Sequence, residues 1–461
     1  MIKDLTKGSP INLIVWFAIP VLIGNIFQQL FQISDILIVG RLLGVKSLAA
    51  VGASAPIFFM FLMIAFGFTA GLTIITAQRF GARDEKGIKS SVFHSMLAAI
   101  SLGILIACIL VFFLKDILKI MNVPEDIMEQ SYRFMFILGI AIIPIVFYNL
   151  LSGFIRALGD SKTPLYFLIL SSMLNILLNF VFIYYFGWGV AGSAGGTLCS
   201  VILSAVACVW FIIKKFPLLH LSVADCRYNH KFMKEHLLVA VPMALQFSIL
   251  ALSMMIVQSV CNSFGTDVIA GFTAAMRIEQ ISTQPLFALG ISFATFAAQN
   301  FGAALIRRIR KGVRQCLAAC LILSILISVI VRFCGTHFVS AFIEGGNPEI
   351  VNIGQQYLMI STYFYFFLSC IFIVRNALQG MGKTSFPLIS GIAELIIRSV
   401  AVIGLSQSIG YIGVFWAGPI AWLGGALVVL LGYAWVIAHI NPIEMRKVFL
   451  KKQALRYSEN V

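Results

Sequence analysis

Charge is scarce in this chain. Only 11% of its 461 residues are Asp, Glu, Lys or Arg, and 60% are hydrophobic. A soluble domain carries about a quarter charged residues, so an ordinary water-soluble fold is excluded. Acids are the rarer sign, 18 against 33 basic residues. The nine cysteines are scattered, with no CxxC and no Cys/His cluster, which speaks against a disulfide framework or a zinc site. The six histidines form no metal-like group with acids, and no paired acids or serine–base set of a membrane enzyme stands out. No GxxxxGK[ST] phosphate loop is present, so energy has to come from an ion gradient or a partner.

What the chain has instead is long apolar runs. They reach about 20 residues or more, enough to cross a bilayer as helices. They predict an all-α polytopic membrane protein with twelve spans, at about 11–39, 48–78, 91–114, 134–156, 164–187, 190–213, 237–262, 267–299, 313–334, 351–374, 387–409 and 412–440. The first run is too long for a cleavable leader and continues into Gly40 and Arg41. Prolines lie inside several spans. Pro20 in the first is an expected bend, because proline leaves the carbonyl four residues earlier without a donor.

Lys and Arg set the orientation. The side holding the N-terminus carries 25 of them and the other side 6, with Arg277 and Arg398 inside spans. Both termini are therefore expected in the cytoplasm of a cell-membrane protein. The net charge of +15 is the same asymmetry, an attraction to anionic lipid that calls for no nucleic acid. The basic C-terminal stretch "RKVFLKKQALRY" is expected along the inner leaflet.

The chain also repeats itself. "AQRFGA" at 77–82 returns as "AQNFGA" at 298–303, Pro20 as Pro242, Pro124 as Pro348, Gly159 and Pro164 as Gly382 and Pro387, and Gly189-Val190 as Gly413-Val414. The shift stays between 221 and 224 residues, which indicates duplication. Each half holds six spans, an even number, so the halves are related by an axis along the membrane normal. The expected domains are 1–213, a linker at 214–236, and 237–461 with a basic tail.

The stretches "SDILIVGRLLG", "FGFTAGLTIITAQRFGA", "LNILLNFVFIYYFGWGVAGSAGGT" and "AAMRIEQIS…AAQNFGA" resemble the MATE family, the multidrug and toxic compound extrusion transporters. The resemblance runs from about Pro10 to about Ile440 and is closer to the DNA-damage-inducible and archaeal branch than to the NorM-like one. It implies two six-helix lobes and export of amphipathic or cationic compounds by alternating access, driven by protons or sodium.

Three acids fall well inside the expected spans: Asp35, Glu279 and Glu394. A charge at a helix centre costs about 2.5–3.5 kcal/mol on insertion scales, so each needs a partner, water or a proton. Asp35, Asn175, Asn179 and Thr197 share one depth in the outer half of their spans, by the rise of about 1.5 Å per residue. Such a set can take a proton or wrap a sodium ion; alternatively Asp35 solvates a helix end. The resemblance implies the coupling role, since the family's first-lobe site falls on these positions. Several relatives have a second aspartate where Asn179 stands, and its loss favours the proton. Gln246 stands near the position of a NorM-like glutamate, so the second-lobe sodium site of that branch is expected to be absent. Glu279 is the candidate charge of the second half, for a cationic substrate or for structure. Glu394 and Arg398, spaced i, i+4, read as a structural ion pair.

The function expected is therefore a secondary active multidrug exporter. It is not an enzyme, needs no cofactor beyond its coupling ion, and works as a monomer on small amphipathic or cationic compounds. The rival reading is a flippase for lipid or lipid-linked sugar from the same superfamily.

Overall fold

The apolar runs are helical for a physical reason. In hydrocarbon no water satisfies backbone N–H and C=O groups, and a helix satisfies them within its own segment. The computed structural model describes residues 3–343 and 347–441, and among these it is all-α. The basic stretch expected along the inner leaflet lies outside the described residues.

Thirteen helices follow in order among the described residues: α1 Pro10–Gly81, α2 Glu85–Phe112, α3 Leu114–Ile120, α4 Glu125–Ala157, α5 Lys162–Phe180, α6 Val190–Lys215, α7 His230–Cys261, α8 Thr266–Gly302, α9 Ile306–Ser340, α10 Pro348–Thr362, α11 Tyr365–Gly380, α12 Ser385–Ile409 and α13 Tyr411–His439. Ten are long and apolar enough to cross a membrane. The first is two spans in one, broken only at Gly44, and α10 with α11 makes one further span bent by 54°. Counted this way, the described residues hold twelve spans.

The breaks differ from the expectation. No loop separates the first two spans; the single residue Gly44, at φ 79° and ψ −178°, redirects the chain, a conformation open to glycine because it lacks Cβ. The tenth span is interrupted at Tyr363 and Phe364. α7 begins at His230, so residues 230–236 of the expected linker are helical. α3 was not anticipated: its seven residues are too few to show as an apolar span.

The chain forms two compact units, and their boundary does not follow 214–236. The first unit is Pro20–Ser248 with the chain up to Asp4; the second is Leu5–Ile19 with the chain from Ile249 on. Each half thus lends the opening segment of its first helix to the other unit. In α1 the crossing falls at Pro20, which leaves the Trp16 carbonyl without its helical donor. Within the first unit α4 packs on α2 and α6, and α5 on α6; within the second, α8 packs on α10 and α11, and α12 on α13. Separate apolar cores fill them, one around Leu110, Leu150 and Phe154, the other around Phe272, Leu358 and Phe415.

Candidate functional site

Asn175 and Asn179 are one turn apart on α5, and Ser193 and Thr197 one turn apart on α6, so each pair shares a helix face. The two faces meet, and Asp35 of α1 joins them. The Asn179 side-chain amide donates to Asp35 Oδ1 at 2.5 Å and to Asn175 Oδ1 at 2.9 Å. Asn175 Nδ2 donates to Thr197 Oγ1 at 2.9 Å, and Thr197 donates on to the Ser193 carbonyl at 3.2 Å. The Ser193 hydroxyl returns to Asp35 Oδ1 at 3.1 Å. These five residues close a ring of hydrogen bonds. Asn175, Asn179 and Ser193 are buried.

Two local features let α5 and α6 come this close. Gly196 faces Asn179: a Cβ there would lie 1.9 Å from Asn179 Oδ1 and 2.9 Å from its backbone nitrogen. Just after Asn179 the helix widens into a π turn, Val181–Tyr185, which takes an extra residue and shifts the register of the chain beyond it. Asn179 Oδ1 is itself buried with no hydrogen-bond partner.

The four residues matched by depth are brought together. Ser193 and Gly196 were missed. Ser193 could have been found, since it sits one turn before Thr197; Gly196 carries no sequence signal that separates it from its neighbours.

The acids of the second unit have different company. Glu279 on α8 is buried and accepts the Tyr357 hydroxyl at 2.8 Å. The i, i+4 pair expected between Glu394 and Arg398 does not form. Glu394 is instead bonded by Arg375 of α11 and by Ser390, whose hydroxyl lies 3.1 Å from it and from the Gly425 carbonyl. A guanidinium from the neighbouring helix reaches Glu394, and Arg398 turns to Met254 Sδ at 3.8 Å. Spacing along one helix permits a contact, but the packed neighbours decide it. Among the described residues no cluster of three or more His, Cys, Asp or Glu is arranged to hold a metal.

Comparison with known proteins bears on this geometry. A family model described as MatE matches the chain twice, at residues 20–181 and 242–403, two segments related by a shift of 222 residues. The probable multidrug resistance protein YpnP of Bacillus subtilis (strain 168) is 31% identical over 384 residues, covering 82% of this chain and 84% of that protein. A second probable multidrug resistance protein of the same organism, YoeA, is 28% identical over 428 residues, covering 90% and 92%. The crystal structure described as MATE in the bent conformation superposes with a TM-score of 0.88 at 24% identity, over 97% of this chain and 98% of that one.

Proposed function

Because this chain belongs to the MatE family, we propose that it is a secondary active multidrug exporter, expelling small amphipathic or cationic compounds in exchange for protons taken up at Asp35. The relatives named as multidrug resistance proteins support the export of drugs. The observation that carries the coupling is the ring around Asp35. Among the described residues its carboxylate is met by neutral donors, Asn179 and Ser193. A neutral setting lets a carboxyl gain and lose a proton with a full change of charge in the site, whereas an adjacent guanidinium holds it ionised.

The same ring argues against sodium. A hard cation needs several oxygens at once. Here the Asn175 amide oxygen already accepts from Asn179, and the Thr197 hydroxyl already accepts from Asn175. Among the described residues of the ring, Asn179 Oδ1 is the buried oxygen left without a partner.

In this reading a proton on Asp35 removes the charge that resists closer packing of α1 on α5 and α6, and α1 yields at Pro20. The site holds the protein's own coupling groups, so no cofactor enters. Both termini lie in the cytoplasm of the cell membrane, with Asp84 and Asp225 inside and Asp126 outside, as the basic-residue bias dictates, and the monomer suffices. The glutamine at position 246, where the NorM-like branch has a glutamate nearby, supports the DNA-damage-inducible and archaeal branch. Glu279, enclosed by Tyr357, serves the internal charge balance of the second unit.

Transport in sealed vesicles, with proton and sodium gradients imposed separately, tests the reading. A proton gradient alone drives drug uptake into inside-out vesicles. Uptake that follows sodium and ignores pH would remove the proton from the mechanism, and lipid scrambling without drug transport would favour the flippase.

A further inference from the structure

Each copy of the repeated A-Q-x-F-G-A motif grips the opening of a first helix, but the two grips are chemically different. In the second unit Gln299 accepts the Leu5 N–H at 2.9 Å, Asn300 donates to the Leu5 carbonyl at 3.2 Å, and Arg308 donates to the Gly8 carbonyl at 2.9 Å. Two amides and a guanidinium do not titrate near neutral pH. In the first unit Arg79 makes a double hydrogen bond to Glu235 of α7 at 2.7 and 2.9 Å and lies over the Phe232 ring. Beside it are two fully buried histidines, His94 of α2 and His236 of α7, stacked with centroids 6.2 Å apart.

We propose that His94 is a second proton-binding site, separate from Asp35, whose protonation releases the start of α7 from the first unit. His94 Nδ1–H donates to the Ser90 carbonyl at 2.7 Å, which fixes the tautomer and leaves Nε2 as an acceptor. Nε2 receives the backbone N–H of Asn229 at 2.9 Å. Asn229 in turn opens α7, its side chain accepting from the N–H groups of Lys231 at 2.9 Å and Phe232 at 3.3 Å. A proton on Nε2 sets one N–H against another. The Asn229 N–H belongs to the backbone and cannot turn, so the contact breaks and a part-buried donor loses its acceptor.

His236 responds differently. Its Nδ1–H donates to the Phe232 carbonyl at 2.7 Å, and Nε2 meets the Ser91 hydroxyl at 2.8 Å, which meets Thr76 Oγ1 at 2.9 Å. If His236 gains a proton, both hydroxyls rotate and these two bonds are kept in the reverse direction, from Nε2–H to Ser91 and from Ser91 to Thr76. The remaining groups around His94 leave the assignment with it. Phe93, Tyr228 and Phe232 have ring centroids 5.3–5.8 Å from that of His94. Arg79 is neutralised by Glu235, with Asp84 3.7 Å away. Lys89 pairs with Asp225 at 3.5 Å. The Ser222 hydroxyl and N–H hold the Asp225 carboxyl below its ordinary range, so this carboxylate stays charged across the histidine window.

Hydrogen exchange on the purified full chain tests the inference. Between about pH 8 and about pH 5.5, and after correction for intrinsic exchange, amides of residues 229–236 lose protection by about tenfold in the wild type. His94→Gln keeps an acceptor for Asn229 but cannot titrate, and its protection is flat with pH. His236→Gln keeps the acid response. Wild-type protection that does not change, or a full acid response in His94→Gln, overturns the proposal. If His94→Gln does not fold, 15N-histidine spectra of the wild type decide: a His94 that stays neutral while protection is lost rules it out. None of these readouts depends on transport or on Asp35.

Discussion

The polar ring in the first half and its repeat-related positions in the second half share a backbone plan and almost nothing else. A shift of 222 carries Asp35 to Val257; 223 carries Asn175 to Arg398 and Asn179 to Val402; 224 carries Ser193 to Ala417 and Thr197 to Ala421. Val257, Val402 and Ala417 are buried in one apolar cluster with Val414 and Phe415. Where the first half sets a carboxyl in a ring with four polar residues, the second half has apolar residues at four of the five positions and the buried Arg398 at the fifth. The difference teaches where coupling is to be sought. An apolar core desolvates at no electrostatic cost and responds to no ion, whereas a buried carboxyl in a neutral ring is costly unless its charge can change. The acids that the second half does keep, Glu279 and Glu394, lie with a tyrosine and with arginines, an arrangement suited to holding helices together.

The sharpest way to break this comparison is to exchange the members of one pair. Asp35→Asn removes the titrating group while keeping the shape. The variant folds, retains drug binding, and loses gradient-driven efflux to background, as measured in cells and vesicles at matched expression. Val257→Asn puts a polar group into the apolar core. It costs about 2–3 kcal/mol through an unsatisfied amide, read as a lower melting temperature in detergent, yet efflux per folded molecule persists. Normal efflux by Asp35→Asn would sink the proposed role.

Next in size is the ion pair of the second unit. Glu394→Ala strands the Arg375 charge and costs about 3–5 kcal/mol, and Glu394→Ala with Arg375→Ala costs less than the single change. Melting of the three proteins decides it; equal losses in single and double variants mean the pair contributes no coupling. The Arg398→Ala variant, combined with Glu394→Ala, shows no such rescue.

Gly196→Ala sharpens the comparison within the ring. Its methyl group displaces the Asn179 amide from Asp35 at a cost of about 1–3 kcal/mol. Efflux falls by about tenfold or more while expression changes little, and a variant with wild-type efflux would show that the Asn179 contact is dispensable. The smallest effect is expected from Thr197→Val, which removes the acceptor of Asn175 two bonds away from Asp35. It costs about 1 kcal/mol, seen as a drop of a few degrees in melting temperature and a reduction of efflux by a few-fold.

Much of this was legible in order along the chain. Twelve apolar runs, the duplication and the depth of Asp35, Asn175, Asn179 and Thr197 follow from hydropathy and a fixed rise per residue, which are properties of the local chain. Ser193 was within reach of the same rule. The partner of Glu394 was not, because spacing along one helix points to Arg398, and only the packing of α11 against α12 brings Arg375 to it. Nor was the unit boundary: sequence order assigns residues 5–19 to the first half and 237–248 to the second, but each clusters with the other.

By itself, then, the sequence determined an all-helical membrane chain in two related halves with one lone carboxyl in the first, since scarcity of charge, run length and repeat spacing act locally and leave no alternative in lipid. The tertiary structure decided which donors surround that carboxyl, which arginine holds Glu394, and which histidine meets a backbone N–H that cannot turn. Those outcomes depend on distances between helices, such as the close approach at Gly196 that brings α6 to Asn179, and such distances exist only once the helices are packed.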